Sequence, residues 1–321
     1  MPLLRRHFLQ SALISPFLPQ EARFSADVKV VTLFATARDR KGRIVHDLSR
    51  EDFQLEEDGR PQTIRYFSRE SDLPLKVGIM IDTSRSQYGI LEHERRASYT
   101  FLDRVLREGK DSAFVMKFDV AVTMLQGFTS SRKELQTALQ GADLAKRNLE
   151  EAEPPREHIL VGTKLYDGVR QAARDAMRPE QGRKALILLT DGVDYGSRSS
   201  LGQAVEHAQR ADTLVYSILY FDPGGYPRAR RDRSGLPVPV ARRGRPTLQR
   251  LSDETGGTFF LVSQKQPVEQ VYDRIQDELR NQYSMGYTPD RPDAGRGYRR
   301  IRLTLRNKSL TVQARNGYYP E

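Results

Sequence analysis

The sequence predicts an α/β protein: a doubly wound, mostly parallel sheet with a smaller β-sandwich-like module formed from both chain ends. Three observations lead there. Five short apolar runs, KVGIMID, SAFVMKFD, KALILLTDG, DTLVYSILY and GTFFLV, are nearly continuous, as strands covered on both faces of a parallel sheet are. Between them lie segments whose apolar residues recur at helical spacing. Outside that zone both ends alternate apolar and polar residues, the pattern of strands with one buried face.

Residues 1–26 place Arg5 and Arg6 ahead of an apolar stretch from Phe8 to Leu18. That is the outline of an export signal, and RRHFLQ resembles the twin-arginine export consensus. The stretch is shorter than the roughly 20 residues that cross a membrane, and no later segment is long or apolar enough. The expectation is an exported protein (periplasmic, cell-surface or secreted) that is not transmembrane; without a working signal the alternative is cytoplasmic. Residues 27–72 read as an N-terminal β segment, with VKVVTLFATARD as a strand, a turn at Gly42, and a strand around Phe53 and Leu55. A tight turn at Asp58-Gly59 leads to another strand through Ile64 and Tyr66.

Residues 73–282 carry the strand–helix alternation of a doubly wound domain. Phe101, Leu102, Val105 and Leu106 mark the first helix, and Leu165, Val169, Ala172, Ala173 and Ala176 fall on one face of a second. Val268, Val271, Tyr272, Ile275 and Leu279 do the same in the last. Within this domain 222–245 stands apart, with seven arginines against two aspartates, a net of +5, and four prolines and four glycines. It reads as a mobile surface loop. Residues 283–321 return to strands, with strict alternation at Ile301, Leu303 and Leu305. Chain termini tend to lie close together, so 283–321 is expected to pack with 27–72, burying its tyrosines there.

Composition narrows the chemistry. The 321 residues contain no cysteine, which excludes disulfide frameworks, thiol nucleophiles, cysteine zinc sites and iron–sulfur clusters. The five histidines are too scattered for a zinc motif. No G-x-S-x-G elbow, phosphate-binding P-loop or strand-following G-x-G-x-x-G occurs. Oxygen is left as the metal ligand, and ligands of open α/β sheets bind beyond the carboxyl ends of the strands. There the chain places Asp82, Ser84 and Ser86 after KVGIMI, Asp191-Gly192 after KALILLT, and Val161-Gly162-Thr163 ahead of the second helix. Asp82 by itself reads first as a helix N-cap, and Asp119 after FVMKF as a strand-end turn; the partners of Asp82 favour a site. Two carboxylates and three hydroxyls select a hard cation, Mg²⁺ or else Mn²⁺ or Ca²⁺. A carboxylate from another molecule completes its shell without any nucleophile or base.

Asp82-x-Ser84-x-Ser86, followed by Thr163 and Asp191, resembles the metal-ion-dependent adhesion site of von Willebrand factor type A (VWA) domains. The flanking EDFQLEEDGRPQTI, NQYSMGYTP and ARNGYYP resemble the bacterial VWFA-related family first described in Acidobacteria. The resemblance implies a VWA/Rossmann-like fold and a non-enzymatic, cation-dependent protein-binding module for adhesion or assembly. It also implies that Ser84, Ser86 and Thr163 contact the metal directly or through water, with Asp82 and Asp191 acting largely through water. Arg85 departs from the small residue usual between the serines; a cation there either weakens metal binding or recruits an anionic ligand.

Two further readings stand beside this one. The arginine-rich loop suits a metal-independent anion binder, taking an acidic surface or polymer. An intracellular complex-assembly factor is the other. The chain's net charge of +10 is weak ground for nucleic acid, because half of it sits in 222–245, where Tyr226 is the single aromatic.

Overall fold

The computed structural model describes residues 30–69, 73–142, 162–226, 228–291, 295 and 297–320. The expected export signal and Val161 lie outside these residues. Four strands come first: β1 (Val31–Arg38), β2 (Phe53–Glu57), β3 (Arg60–Gln62) and β4 (Tyr66–Ser68). Asp58 and Gly59 both take positive φ, 49° and 77°, the two-residue turn whose twist matches a hairpin. The strand expected through Ile64 and Tyr66 is two strands. β3 pairs with β2, whereas β4 pairs in a different sheet, so the chain changes sheets between them.

The α/β unit follows, with β5 (Leu75–Asp82), α1 (Leu91–Val105), β6 (Ser112–Phe118), β7 (Val122–Thr129), α2 (Arg132–Gln140) and α3 (Leu165–Gln171). Next come β8 (Arg183–Thr190), α4 (Leu201–Arg210), β9 (Thr213–Leu219), α5 (Arg245–Thr255), β10 (Phe259–Leu261) and α6 (Val268–Arg280). The sheet order is β10-β9-β8-β5-β6-β7, parallel except for antiparallel β7. Apolar residues of α1, α2 and α6 form one core with the sheet, and those of α3, α4 and α5 form another on the opposite face. The five apolar runs are the five parallel strands. The sixth strand, β7, carries no such run, because it is a half-exposed edge with shifted register against β6.

Numbered within the unit, the strands lie in the order 6-5-4-1-2-3, so the winding reverses between β5 and β8. The helix after β5 packs on one face and the helix after β8 on the other. The loops leaving these two adjacent strands therefore part, and the crevice between them is where such sheets bind ligands.

The remaining strands are β11 (Tyr283–Tyr287), β12 (Arg299–Leu305), β13 (Thr311–Gln313) and β14 (Gly317–Tyr318). They complete two antiparallel sheets, β13-β1-β11-β4 and β14-β12-β2-β3, which share one apolar cluster including Leu33, Phe53, Tyr283, Tyr287, Ile301 and Tyr318. Both ends of the chain contribute to each sheet. Two of the tyrosines in 283–321 are exceptions: Tyr298 lies exposed against the ring of Tyr319, and Tyr319 is only partly buried, under the guanidinium of Arg210 from α4. The module meets the α/β unit at the amino ends of the parallel strands, away from the crevice. Arg38 pairs there with Glu278, Arg315 with Asp212, and Gln209 bonds the Asn316 side chain at 3.1 Å.

Candidate metal centre

Asp82 is the last residue of β5, and Asp191 follows the last residue of β8, so the two strands at the winding reversal each deliver a carboxyl group to the crevice. Asp82 is fully buried. Its Oδ1 accepts the Ser84 amide at 2.9 Å and its Oδ2 accepts the Thr190 hydroxyl at 2.6 Å. It caps no helix; it folds the backbone back so that a short turn at Arg85–Gln87 presents both serines. Ser84 Oγ and Ser86 Oγ lie 3.0 Å apart, and Ser86 Oγ donates to Asp191 Oδ2 at 2.6 Å. Asp191 Oδ1 accepts the Val193 amide at 2.9 Å. Four of the five expected residues thus share one hydrogen-bonded network.

Thr163 approaches by its backbone. Its amide donates to Tyr195 O at 2.8 Å, the Tyr195 amide returns a bond of 2.9 Å, and the Lys164 amide donates to Asp119 O at 2.8 Å. The segment is strung between the loops after β8 and β6, the strands on either side of β5. Among the described residues no hydrogen bond ties the Thr163 hydroxyl to the other four. Asp119 is a strand-end turn, accepting the Thr83 hydroxyl at 2.7 Å and the Ala121 amide at 3.0 Å.

Two participants were not singled out from sequence. The Tyr226 hydroxyl donates to Asp191 Oδ2 at 2.6 Å; nothing local links it to an aspartate 35 residues earlier. Glu94 is fully buried, and neither of its oxygens has a hydrogen-bond partner. Its signal was available: it falls with Leu91, Ser98 and Phe101 on the buried stripe of α1, where a carboxylate has no packing reason to be.

The electrostatics are those of buried acids. Burial, reinforced by the charge of Asp191, pushes Asp82 up to about 7. Burial also raises Asp191, against the bonds from Ser86 and Tyr226 that favour its charged form. Burial and then the charges of Asp82 and Asp191 hold Glu94 well above the usual carboxyl range. Burial and the neighbouring Asp191 raise the Tyr226 phenol. No lysine or arginine pairs with Asp82, Asp191 or Glu94 among the described residues. Nor do the described residues hold a group of three or more His, Asp or Glu side chains placed to ligate a metal. What the crevice offers is two carboxylates and neutral hydroxyls, with an orphaned carboxyl behind them. That donor set fits a hard divalent cation.

No family model matches the sequence, and no curated protein matches it. Solved structures that resemble it include BatB from Bacteroides thetaiotaomicron, a conserved hypothetical protein, at 20% identity over 64% of this chain and 97% of that one, TM-score 0.45. The vWF domain of the type V pili tip protein Mfa5 from Porphyromonas gingivalis is 13% identical over 64% of this chain and 95% of that one, TM-score 0.46. Proximal thread matrix protein 1 from the mussel byssus, solved with a zinc-occupied MIDAS motif, is 14% identical over 68% of this chain and 48% of that one, TM-score 0.46. The mostly parallel sheet with helices on both faces is a VWA/Rossmann-like fold. Among the described residues no helix is long and apolar enough to cross a membrane.

Proposed function

We propose that this VWA-like unit is a non-enzymatic binding module whose crevice takes a hard divalent cation, Mg²⁺ or else Mn²⁺ or Ca²⁺, and with it a carboxylate of a protein partner. The observation that carries the reading is the network joining Asp82, Ser84, Ser86 and Asp191 across the winding reversal. Ser84, Ser86 and Thr163 are the residues to hold the ion directly or through water, and Asp82 and Asp191 those to hold it largely through water. A bound divalent cation supplies an electrophilic position for an anionic oxygen. The chain's own residues set the orientation: Thr190 fixes the Asp82 carboxyl, and Val193 and Tyr226 fix that of Asp191. Adhesion or assembly outside the cytoplasm accords with Arg5 and Arg6 ahead of an apolar stretch.

Thermal unfolding tests this at pH 8, where the site carboxyls ionise most readily. Millimolar Mg²⁺ or Mn²⁺ is expected to raise the wild-type midpoint by several degrees relative to chelator, since a ligand at 100 times its Kd stabilises by about 2.7 kcal/mol. Asp82→Ala is expected not to respond. A wild-type midpoint indifferent to both metals overturns the reading.

A further inference from the structure

We infer that the arginine-rich segment and the metal centre form one recognition face for an acidic polypeptide segment, with arginines taking carboxylates around the one taken at the centre. This deepens the reading above and rests on it.

The segment 222–245 is rooted at the site by both of its ends. At one end Asp222 Oδ2 accepts the Gly89 amide at 2.9 Å, and Tyr226 reaches Asp191. The turn Arg85–Gln87 also packs against Pro223–Gly225. At the other end Gly244 lies so close to the site loop that a Cβ there would sit 1.9 Å from Asp191 O. Between these feet the chain forms a hairpin: Val238 N donates to Arg230 O at 2.8 Å and Asp232 N to Leu236 O at 2.9 Å, with Gly235 at φ 81°. Leu236 and Val240 on the return limb are buried in the core. The mobile loop expected from composition is therefore a structure fastened to the metal centre.

Its charge is left facing outward. Arg228, Arg230, Arg231, Arg233, Arg242 and Arg243 are all exposed. The two aspartates do not neutralise them: Asp222 accepts the Gly89 and Gly224 amides, and Asp232 accepts the Ser234 and Leu236 amides and the Ser234 hydroxyl. Arg85, exposed between the two site serines, brings the same charge from the other side.

The rim of the crevice is also apolar. Tyr88 is 74% exposed and Tyr195 64%, on the loops carrying Ser86 and Asp191, and Val120 lies exposed beside Gly162. Exposed cations on the segment together with exposed apolar groups on the rim complement a peptide with carboxylates among apolar side chains. A dense polyanion suits the face less well, because it has no apolar group to set against Tyr88, Tyr195 and Val120. The segment's own aromatic, Tyr226, has its hydroxyl engaged by Asp191.

The test uses the full chain in millimolar Mg²⁺ and a fluorescein-labelled peptide of alternating glutamate and glycine, with the glutamine counterpart as control, read by anisotropy. Wild type is expected to bind the glutamate peptide and not the glutamine one, and more weakly as salt rises. The triple variant Arg228→Gln, Arg230→Gln, Arg233→Gln changes exposed residues only. It is expected to bind the glutamate peptide about tenfold more weakly or worse, with unchanged unfolding midpoint and unchanged Mn²⁺ affinity by titration calorimetry. Peptide binding equal to wild type in that variant overturns the arginine face. Single-stranded DNA or heparin displacing the peptide at equal charge overturns the choice of partner. Failure of Mn²⁺ to bind wild type sinks the metal reading instead, so the two failures are told apart.

Discussion

Asp82 carries the clearest consequence at the scale of single residues. Burial and the charge of Asp191 push its carboxyl up to about 7, from 3.8 for an unperturbed aspartate. Between those values the folded state holds a proton that the unfolded chain has released, so stability falls as pH rises. The chelated protein is expected to lose unfolding midpoint as pH climbs through that window, and Asp82→Asn to flatten the slope in a pH series. Glu94 invites a second measurement. Its two oxygens are buried without a partner, so Glu94→Met, of similar volume, is expected to stabilise the chelated protein by about 1–3 kcal/mol in urea denaturation. The Asp82-Ser84-Ser86 part of the site was legible because its spacing is local and places three oxygens on one strand-end turn. Tyr226 was illegible, since its role depends on a contact that only the folded hairpin creates.

Among the elements, the close approach of the 222–245 segment to the site loop is the feature most open to test. Gly192 has φ 74° and a Cβ on it would lie 2.6 Å from Gly244 O. With both residues lacking side chains, the start of α5 seats directly on the loop that carries Asp191. Gly244→Ala is expected to cost about 1–3 kcal/mol of stability through overpacking, and to weaken Mn²⁺ binding because the Asp191 loop must move. Denaturant midpoints and cation titration read the two effects separately. Sequence periodicity found the parallel strands and the faces of α1, α3 and α6, since core burial imposes those patterns. It missed β7, whose half-exposed edge has no strict period. It also read 222–245 by composition, when two buried residues, Leu236 and Val240, decide its shape.

For the molecule as a whole, the two-ended module meets the amino edge of the α/β sheet through polar contacts that include a buried carboxyl group. Arg38 reaches Glu278 at 2.5 Å, and the Thr258 hydroxyl donates to the same carboxyl group at 2.7 Å. Arg38→Ala leaves Glu278 buried with the Thr258 hydroxyl but without its cation, at an expected cost of about 3–5 kcal/mol. Replacing both partners by methionine is expected to recover most of it in a double-mutant cycle. That both ends alternate in the strand pattern was plain from the sequence; that each of the two sheets mixes them was not, because register between distant segments leaves no local mark. The interleaving also fixes an order of events during synthesis. β1 leaves the ribosome before the other strands described, yet its neighbours β11 and β13 follow only about 250 and about 275 residues later, a closure of high contact order. Its apolar face must stay open while the α/β unit folds behind it, so a chain halted before Tyr283 has a finished crevice and an unsheathed strand, prone to stick to its own kind.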